Sequence, residues 1–175
     1  MIAFIPYQPH HMGALQLQLA QAALQPLVDN PRYAAALAGE HSWTALDDGR
    51  ILAVAGVLPQ WPGRSIAWAL LGRSIGPRQF PALHRKVLAV LEAAASAGAR
   101  RIETAVCADF ENGHRWAEKL GFRAEGLMRA YCSEGRDHVL YARVSPAFLP
   151  RATQVARNPH VSGVGGAATS MGAMQ

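Results

Sequence analysis

Residues 101–144 read RIETAVCADFENGHRWAEKLGFRAEGLMRAYCSEGRDHVLYARV, and this stretch decides the fold. Apolar residues first alternate, then recur at helical spacing, and then alternate again on both sides of a glycine-containing turn. The pattern predicts a strand (102–107), a helix that stops at Gly121, a strand (122–132), a turn (134–137) and a last strand (139–144).

The longest helical pattern precedes this stretch, over residues 80–97. Its apolar positions share one face, Pro81 stands in its first turn, and Gly98 follows its end. Three short strands come before it, at 42–46, 51–58 and 66–71. They are separated by Asp47-Asp48-Gly49 and Trp61-Pro62-Gly63-Arg64, so we expect an antiparallel meander.

The N-terminal part predicts one strand and two helices. Residues 2–7 form the strand, Leu15, Leu19, Ala22 and Ala23 indicate a helix over 12–28, and Asn30-Pro31 begins a short helix through Leu37. The whole order predicts an α/β fold, with a mixed, mostly antiparallel central sheet and flanking helices. One domain covers residues 1–145, and 146–175 are a Pro/Gly/Ala-rich tail without a core of its own.

Composition and charge argue against some classes of protein. Half of the 175 residues are hydrophobic, and the longest apolar runs are far shorter than the roughly 20 residues that span a bilayer. The net charge is +5, but the arginines are scattered, so nucleic-acid binding is unlikely. Cys107 and Cys132 are expected to be small buried side chains in a reducing compartment, which favours the cytoplasm.

The order strand, helix, "E-K-L-G-F" (118–122), strand, turn, strand resembles the C-terminal half of the GNAT family, the GCN5-related N-acetyltransferases. The resemblance extends over residues 1–145. It implies transfer of an acetyl group from acetyl-CoA to an amine acceptor. The cofactor would lie in a gap between the fourth and fifth strands. Leu71 and Gly72, at the end of the fourth strand, would contact it, and a main-chain N–H there would polarise the thioester oxygen.

The same resemblance places the cofactor pyrophosphate in the loop before the long helix, where the family has Arg or Gln, two residues, Gly, one residue, then Gly or Ala. Residues 73–78 (RSIGPR) supply Arg73 and Gly76 but end in Arg78. Counting back from Gly98 gives residues 78–83 (RQFPAL), in which proline and leucine replace the small residues. Arg73 and Arg78 would pair with phosphate through their side chains; the alternative is a plain connecting loop.

The catalytic groups are less well matched. Many family members have a Tyr before "E-K-L-G-F" that protonates the departing thiolate, whereas this chain has Ala117. Tyr131 would replace that acid if it faces the cleft; the alternative is a core tyrosine. Glu103 and His114 are candidate general bases. We favour the alternatives, which are an ion pair between Glu103 and an arginine and a solvated helix position for His114.

Asn112 lies where the family often has a cofactor-binding Asn. It would otherwise cap a helix that begins at Gly113. A second interpretation of the chain is a GNAT-fold structural protein without catalysis, because the sequence is similar to GNAT-like proteins encoded by tailed bacteriophages. In that case its partners are other virion proteins, and it resides in the virion, as an internal, neck or tail-associated protein.

Overall fold

The computed structural model describes residues 2–145, and the predicted tail over 146–175 lies outside the described residues. The division into one domain and a tail stays a prediction. A seven-stranded sheet runs through the molecule in the order β1-β2-β3-β4-β5-β7-β6. The strands are β1 (Ile2–Pro6), β2 (Trp43–Asp47), β3 (Arg50–Trp61), β4 (Arg64–Leu71), β5 (Arg101–Cys107), β6 (Arg123–Met128) and β7 (His138–Val144). Every neighbouring pair is antiparallel except β4 and β5. The predicted fold class is therefore confirmed.

The parallel pair β4–β5 is joined only at its beginning. Arg64 pairs with Arg101, Ser65 with Ile102, and Ile66 with Glu103. Beyond these three positions β4 continues to Leu71 on β3, and β5 continues to Cys107 on β7. The two central strands therefore diverge, and a V-shaped gap opens between residues 67–71 and 104–107. This gap is the crevice that the sequence predicted.

One face of the sheet is covered by α4 (Phe80–Ser96) and α5 (Glu111–Lys119). The apolar positions of α4 pack on small residues of β3, and α5 adds Ala117 to the same core. The two helices also contact each other, since the indole N–H of Trp116 donates to Nδ1 of His84 at 3.1 Å. The predicted boundaries of both helices are correct to within two residues.

The other face is covered by short helices. These are α1 (His10–Gly13), a 3₁₀ helix (Leu19–Leu24), α2 (Gln25–Val28) and α3 (Pro31–Ala36). Asn30 caps α3 by accepting from the main-chain N–H groups of Arg32 and Tyr33, as predicted. Their apolar side chains form a second core with Tyr7, Val54 and Leu70.

The predicted continuous helix over 12–28 is wrong. The chain leaves α1 and becomes extended, and Leu17 forms an antiparallel bridge with Gly72 at the end of β4. Leu15 and Leu17 are buried while Gln16 between them is exposed, which is the period-two pattern of a strand. The helical spacing of Leu15 and Leu19 misled the prediction, because it also fits this alternation.

The strand predicted over 122–132 is shorter than expected. β6 ends at Met128, and Ala130 then adopts a positive φ of 48°, which turns the chain out of the sheet. Tyr131 and Cys132 consequently belong to the turn rather than to the strand. None of the helices in the described part of the chain has the length and apolar character that a bilayer span needs.

Candidate functional site

A cavity of about 440 Å³ occupies the gap between β4 and β5. It reaches both faces of the sheet, because its wall includes Val87 and Leu91 from α4 and Leu24 and Tyr33 from the opposite layer. Most of the lining is apolar. A mostly apolar crevice with few polar groups is typical of a site for a small organic ligand.

The gap edge of β4 is already hydrogen-bonded to the N-terminal layer. The side chain of Gln21 donates through Nε2 to the carbonyl of Ala69 at 2.7 Å and accepts through Oε1 from the N–H of Leu71 at 2.8 Å. The N–H of Gln18 donates to the carbonyl of Leu71, and the N–H of Arg73 donates to the carbonyl of Gln16, both at 2.9 Å. The Leu71 N–H, predicted to polarise a thioester, thus has a partner within the protein.

Gly72 is required at this point by close packing. A Cβ atom there would lie 2.7 Å from the carbonyl oxygen of Leu52 and 3.1 Å from a side-chain carbon of Leu15. The N–H of Gly72 donates to that same Leu52 carbonyl at 2.7 Å. Gly72 therefore allows β3 and the N-terminal layer to approach the end of β4 together.

The loop before α4 uses most of its amide groups internally. The N–H groups of Ile75, Gln79 and Phe80 donate to carbonyls of the loop itself, and that of Gly76 donates to Oε1 of Gln79 at 3.1 Å. Pro77 in the loop and Pro81 in the first turn of α4 remove further donors. A phosphate at this helix N-terminus would consequently find few main-chain donors.

Arg73 and Arg78 have exposed side chains at this loop. Both are placed where a guanidinium can reach an anion from solvent without losing a buried partner. The geometry therefore favours side-chain recognition of phosphate over a main-chain cradle. Gly76 therefore has a structural role, because its N–H donates to the side chain of Gln79.

Tyr131 lines the cavity and is 55% exposed, so the alternative of a core tyrosine is wrong. Its ring is 4.9 Å from that of His138, at an interplanar angle of 47°. Tyr33 lines the cavity as well, and burial, followed by the proximity of Tyr131, raises its pKa above the ordinary value. The Tyr33 phenol is therefore protonated at neutral pH, as a proton donor must be.

The two cysteines are half-buried in the cavity wall rather than buried in the core, which corrects the prediction. Cys107 donates through Sγ to Oδ1 of Asp109 at 3.1 Å, and Arg136 pairs with the same carboxylate at 2.7 Å. Burial, and then the bond to Asp109, raises the pKa of the Cys107 thiol. Cys107 is therefore a weak nucleophile at neutral pH.

Glu103 lies where β4 and β5 join, outside the lining of the cavity. It is 8% exposed and pairs with Arg64, at 3.0 Å to Nε, and with Arg101, which also pairs with Glu125. The hydrogen bond from Arg64 is the largest cause that lowers the pKa of Glu103. The predicted ion pair is confirmed, and a carboxylate held in this way is a poor proton acceptor.

His114 uses both ring nitrogens within the protein. Nδ1 is 3.0 Å from the hydroxyl of Tyr141 on β7, and Nε2 is 3.0 Å from the carbonyl of Ala108 after β5. The side chain is half-buried, so a solvated helix position is wrong. It also lies outside the residues that line the cavity. His114 links α5 to the strands beside it.

Asn112 is exposed in the first turn of α5. The helix begins at Glu111 and its N-cap is Phe110, so the predicted capping by Asn112 is wrong. The N-cap is Phe110 rather than Asn112, because Gly113 already lies inside the helix. Its N–H donates to the carbonyl of Phe110 at 2.9 Å. A contact between Asn112 and a cofactor stays a prediction.

The residues that sequence reasoning missed are those of the N-terminal layer, above all Gln18 and Gln21. Their signal is the run Leu15-Gln16-Leu17-Gln18-Leu19, whose strict alternation indicates an extended segment. Nothing in the sequence shows that the next glutamine reaches β4, because the contact joins positions 48 and 50 residues apart.

The sequence matches no protein-family model and no curated protein. Solved structures do match. Ard1 from Thermoplasma volcanium aligns with a TM-score of 0.66 at 13% identity, over 82% of this chain and 97% of that one. The ribosomal-protein-S18-alanine N-acetyltransferase from Escherichia coli gives 0.61 at 17% identity, over 82% and 94%. An acetyltransferase of the GNAT family from Streptococcus pneumoniae gives 0.58 at 13% identity, over 82% and 99%. These similarities show that the chain has the GNAT fold.

Proposed function

We propose that the protein transfers an acyl group from acetyl-CoA to an amine. The observation that carries the proposal is the divergence of β4 and β5, which opens a cavity of about 440 Å³ through the sheet. A thioester that enters from one face and an amine that enters from the other would meet inside it. Holding both reactants together supplies much of the rate of such a reaction.

The chemistry needs a polarised carbonyl and a proton for the leaving thiolate. The amine nitrogen attacks the thioester carbon, the C–N bond forms, the C–S bond breaks, and the sulfur leaves with the bonding electron pair. The N–H of Leu71 would stabilise the oxyanion, and Tyr131 would protonate the thiolate and recover a proton from the ammonium group. Arg73 and Arg78 would pair with the cofactor phosphates, and Asn112 is a further candidate contact.

The experiment is a calorimetric titration with acetyl-CoA, followed by release of free thiol in the presence of a panel of amines. We expect binding, and thiol release that depends on the amine. Tyr131→Phe should lower kcat by about a hundredfold, the lower range for a general acid, with little change in KM. Ala117→Tyr in that background restores a phenol at the family's position and should recover part of kcat. Absence of binding at millimolar acetyl-CoA overturns the proposal.

A second candidate function is a GNAT-fold structural protein that does not catalyse, for example an internal, neck or tail-associated protein of a bacteriophage virion. It is favoured by the internal bonding of the loop amides before α4 and of the gap edge of β4. Purified particles that contain the chain at fixed stoichiometry would support it.

A further inference from the structure

The carboxamide of Gln21 forms the two hydrogen bonds that a neighbouring strand would form with β4. Ala69 and Leu71 present a carbonyl and an N–H on the same edge of β4, facing the gap that β5 has left. A neighbouring strand, or any ligand amide, would pair with these two groups by donating to the first and accepting from the second. Gln21 does both, at 2.7 Å and 2.8 Å.

Gln21 is well supported in this position. Its Oε1 also accepts from the side chain of Gln18 at 3.3 Å, and the N–H of Gln18 is bonded to the carbonyl of Leu71. The pairing of Gln16 with Arg73 continues the contact along the edge. A short extended segment therefore covers the end of β4, and Gln21 closes the part that faces the cavity.

We infer that Gln21 is a gate residue that sets the affinity of the gap for an acyl thioester, a role that rests on the proposed function. A ligand carbonyl that accepts from the Leu71 N–H must displace Oε1 of Gln21. A ligand N–H that donates to the Ala69 carbonyl must displace Nε2. Each ligand bond is thus exchanged for a bond that the protein already has, so the ligand gains little from making it.

The main-chain hydrogen bonds that join Gln16 and Gln18 to the end of β4 need not break for this exchange. Those residues bond to the carbonyl of Leu71 and the N–H of Arg73, which are different groups from the two that Gln21 holds. Rotation of one side chain is sufficient to open the edge. The gate is therefore local, and a single substitution removes it.

The test compares acetyl-CoA binding by calorimetry in wild type, Gln21→Ala, Gln21→Glu and Gln25→Ala. Gln21→Glu keeps the length of the side chain and loses the donor to Ala69. Gln25→Ala is the matched control, because the side chain of Gln25 pairs with Asp29 on the surface. We expect Gln21→Ala to bind about tenfold more tightly than wild type and the control to equal wild type. Gln21→Glu should bind no more tightly than wild type, because its carboxylate still accepts from the Leu71 N–H.

Hydrogen exchange at the Leu71 amide gives a readout that needs no ligand. It should be faster in Gln21→Ala than in wild type and unchanged in Gln25→Ala. If wild type binds acetyl-CoA and Gln21→Ala does not bind it more tightly, the gate is refuted and the proposed function survives. If no protein binds, the proposed function fails and the gate fails with it. Unchanged exchange at Leu71 in Gln21→Ala refutes the gate in either case.

Discussion

Replacing Glu103 with glutamine removes the negative charge that joins Arg64 of β4 to Arg101 of β5 at the closed end of the gap. Removing one member of a fully buried ion pair costs about 3–5 kcal/mol. Here the Glu103 side chain is 11% exposed, but the arginine side chains are 24% and 31% exposed and regain some hydration. We therefore expect a loss of about 2 kcal/mol in the free energy of unfolding, and a Tm lower by about 7 °C.

The stabilisation that Glu103 provides depends on pH. Arg64 and Arg101 hold the folded-state pKa of Glu103 below its unfolded value. The stabilisation is consequently complete above the unfolded pKa of about 4.3 and is lost as the pH falls through the lower folded pKa. The difference in Tm between wild type and Glu103→Gln should be full at pH 7 and shrink below about pH 4.

Thermal melting followed by circular dichroism at several pH values measures both quantities. Glu125→Gln is the matched control, because Glu125 pairs with Arg101 from an exposed edge strand and its ion pair is worth at most about 1 kcal/mol. Equal melting of wild type and Glu103→Gln at pH 7, or a difference that grows as the pH falls, would refute the reasoning. Loss of activity in Glu103→Gln at a temperature where the variant is folded would restore Glu103 as a catalytic base.

Two further pairs of substitutions test the packing around α5 by denaturant unfolding. His114→Ala removes hydrogen bonds to the hydroxyl of Tyr141 and to a main-chain carbonyl, and should lower the free energy of unfolding by about 2 kcal/mol. Tyr141→Phe removes one of these bonds and should lower it by about 1 kcal/mol. Equal losses would contradict this. Gly113→Ala should destabilise by about 1–3 kcal/mol although alanine favours helices, because its Cβ would lie 2.4 Å from a ring carbon of Phe110. Gly126→Ala, which has open space around it, is the control and should be close to neutral; a stabilised Gly113→Ala would be the contrary result.

The local elements were predictable where the pattern has one meaning. The helix over 80–97 has a continuous apolar face and clear start and stop residues, and the structure gives it as Phe80–Ser96. The helix prediction for residues 12–28 was wrong because leucine at alternate positions fits both a helix and an extended chain. There the choice is made by a bridge between Leu17 and Gly72, which no local pattern encodes.

The candidate site was predictable only in part, for the same reason. The location of the gap was expected from the resemblance to the GNAT family, and the structure has it between β4 and β5. The environment of single side chains was not predictable in this way, and so Tyr131 proved exposed while His114 proved doubly bonded. Their surroundings come from strands and turns that are distant in sequence.

Outside residues 12–28, the sequence by itself determined the succession of strands and helices, because hydrophobic period and turn residues act within a few positions of each other. Only the tertiary structure decided which polar groups face the gap and which are already paired. Gln21 is the clearest case: a glutamine has no preferred partner until folding brings the open edge of β4 within reach of its amide. Hydrogen-bond partners are chosen by proximity in space, and that proximity exists only after the sheet has formed.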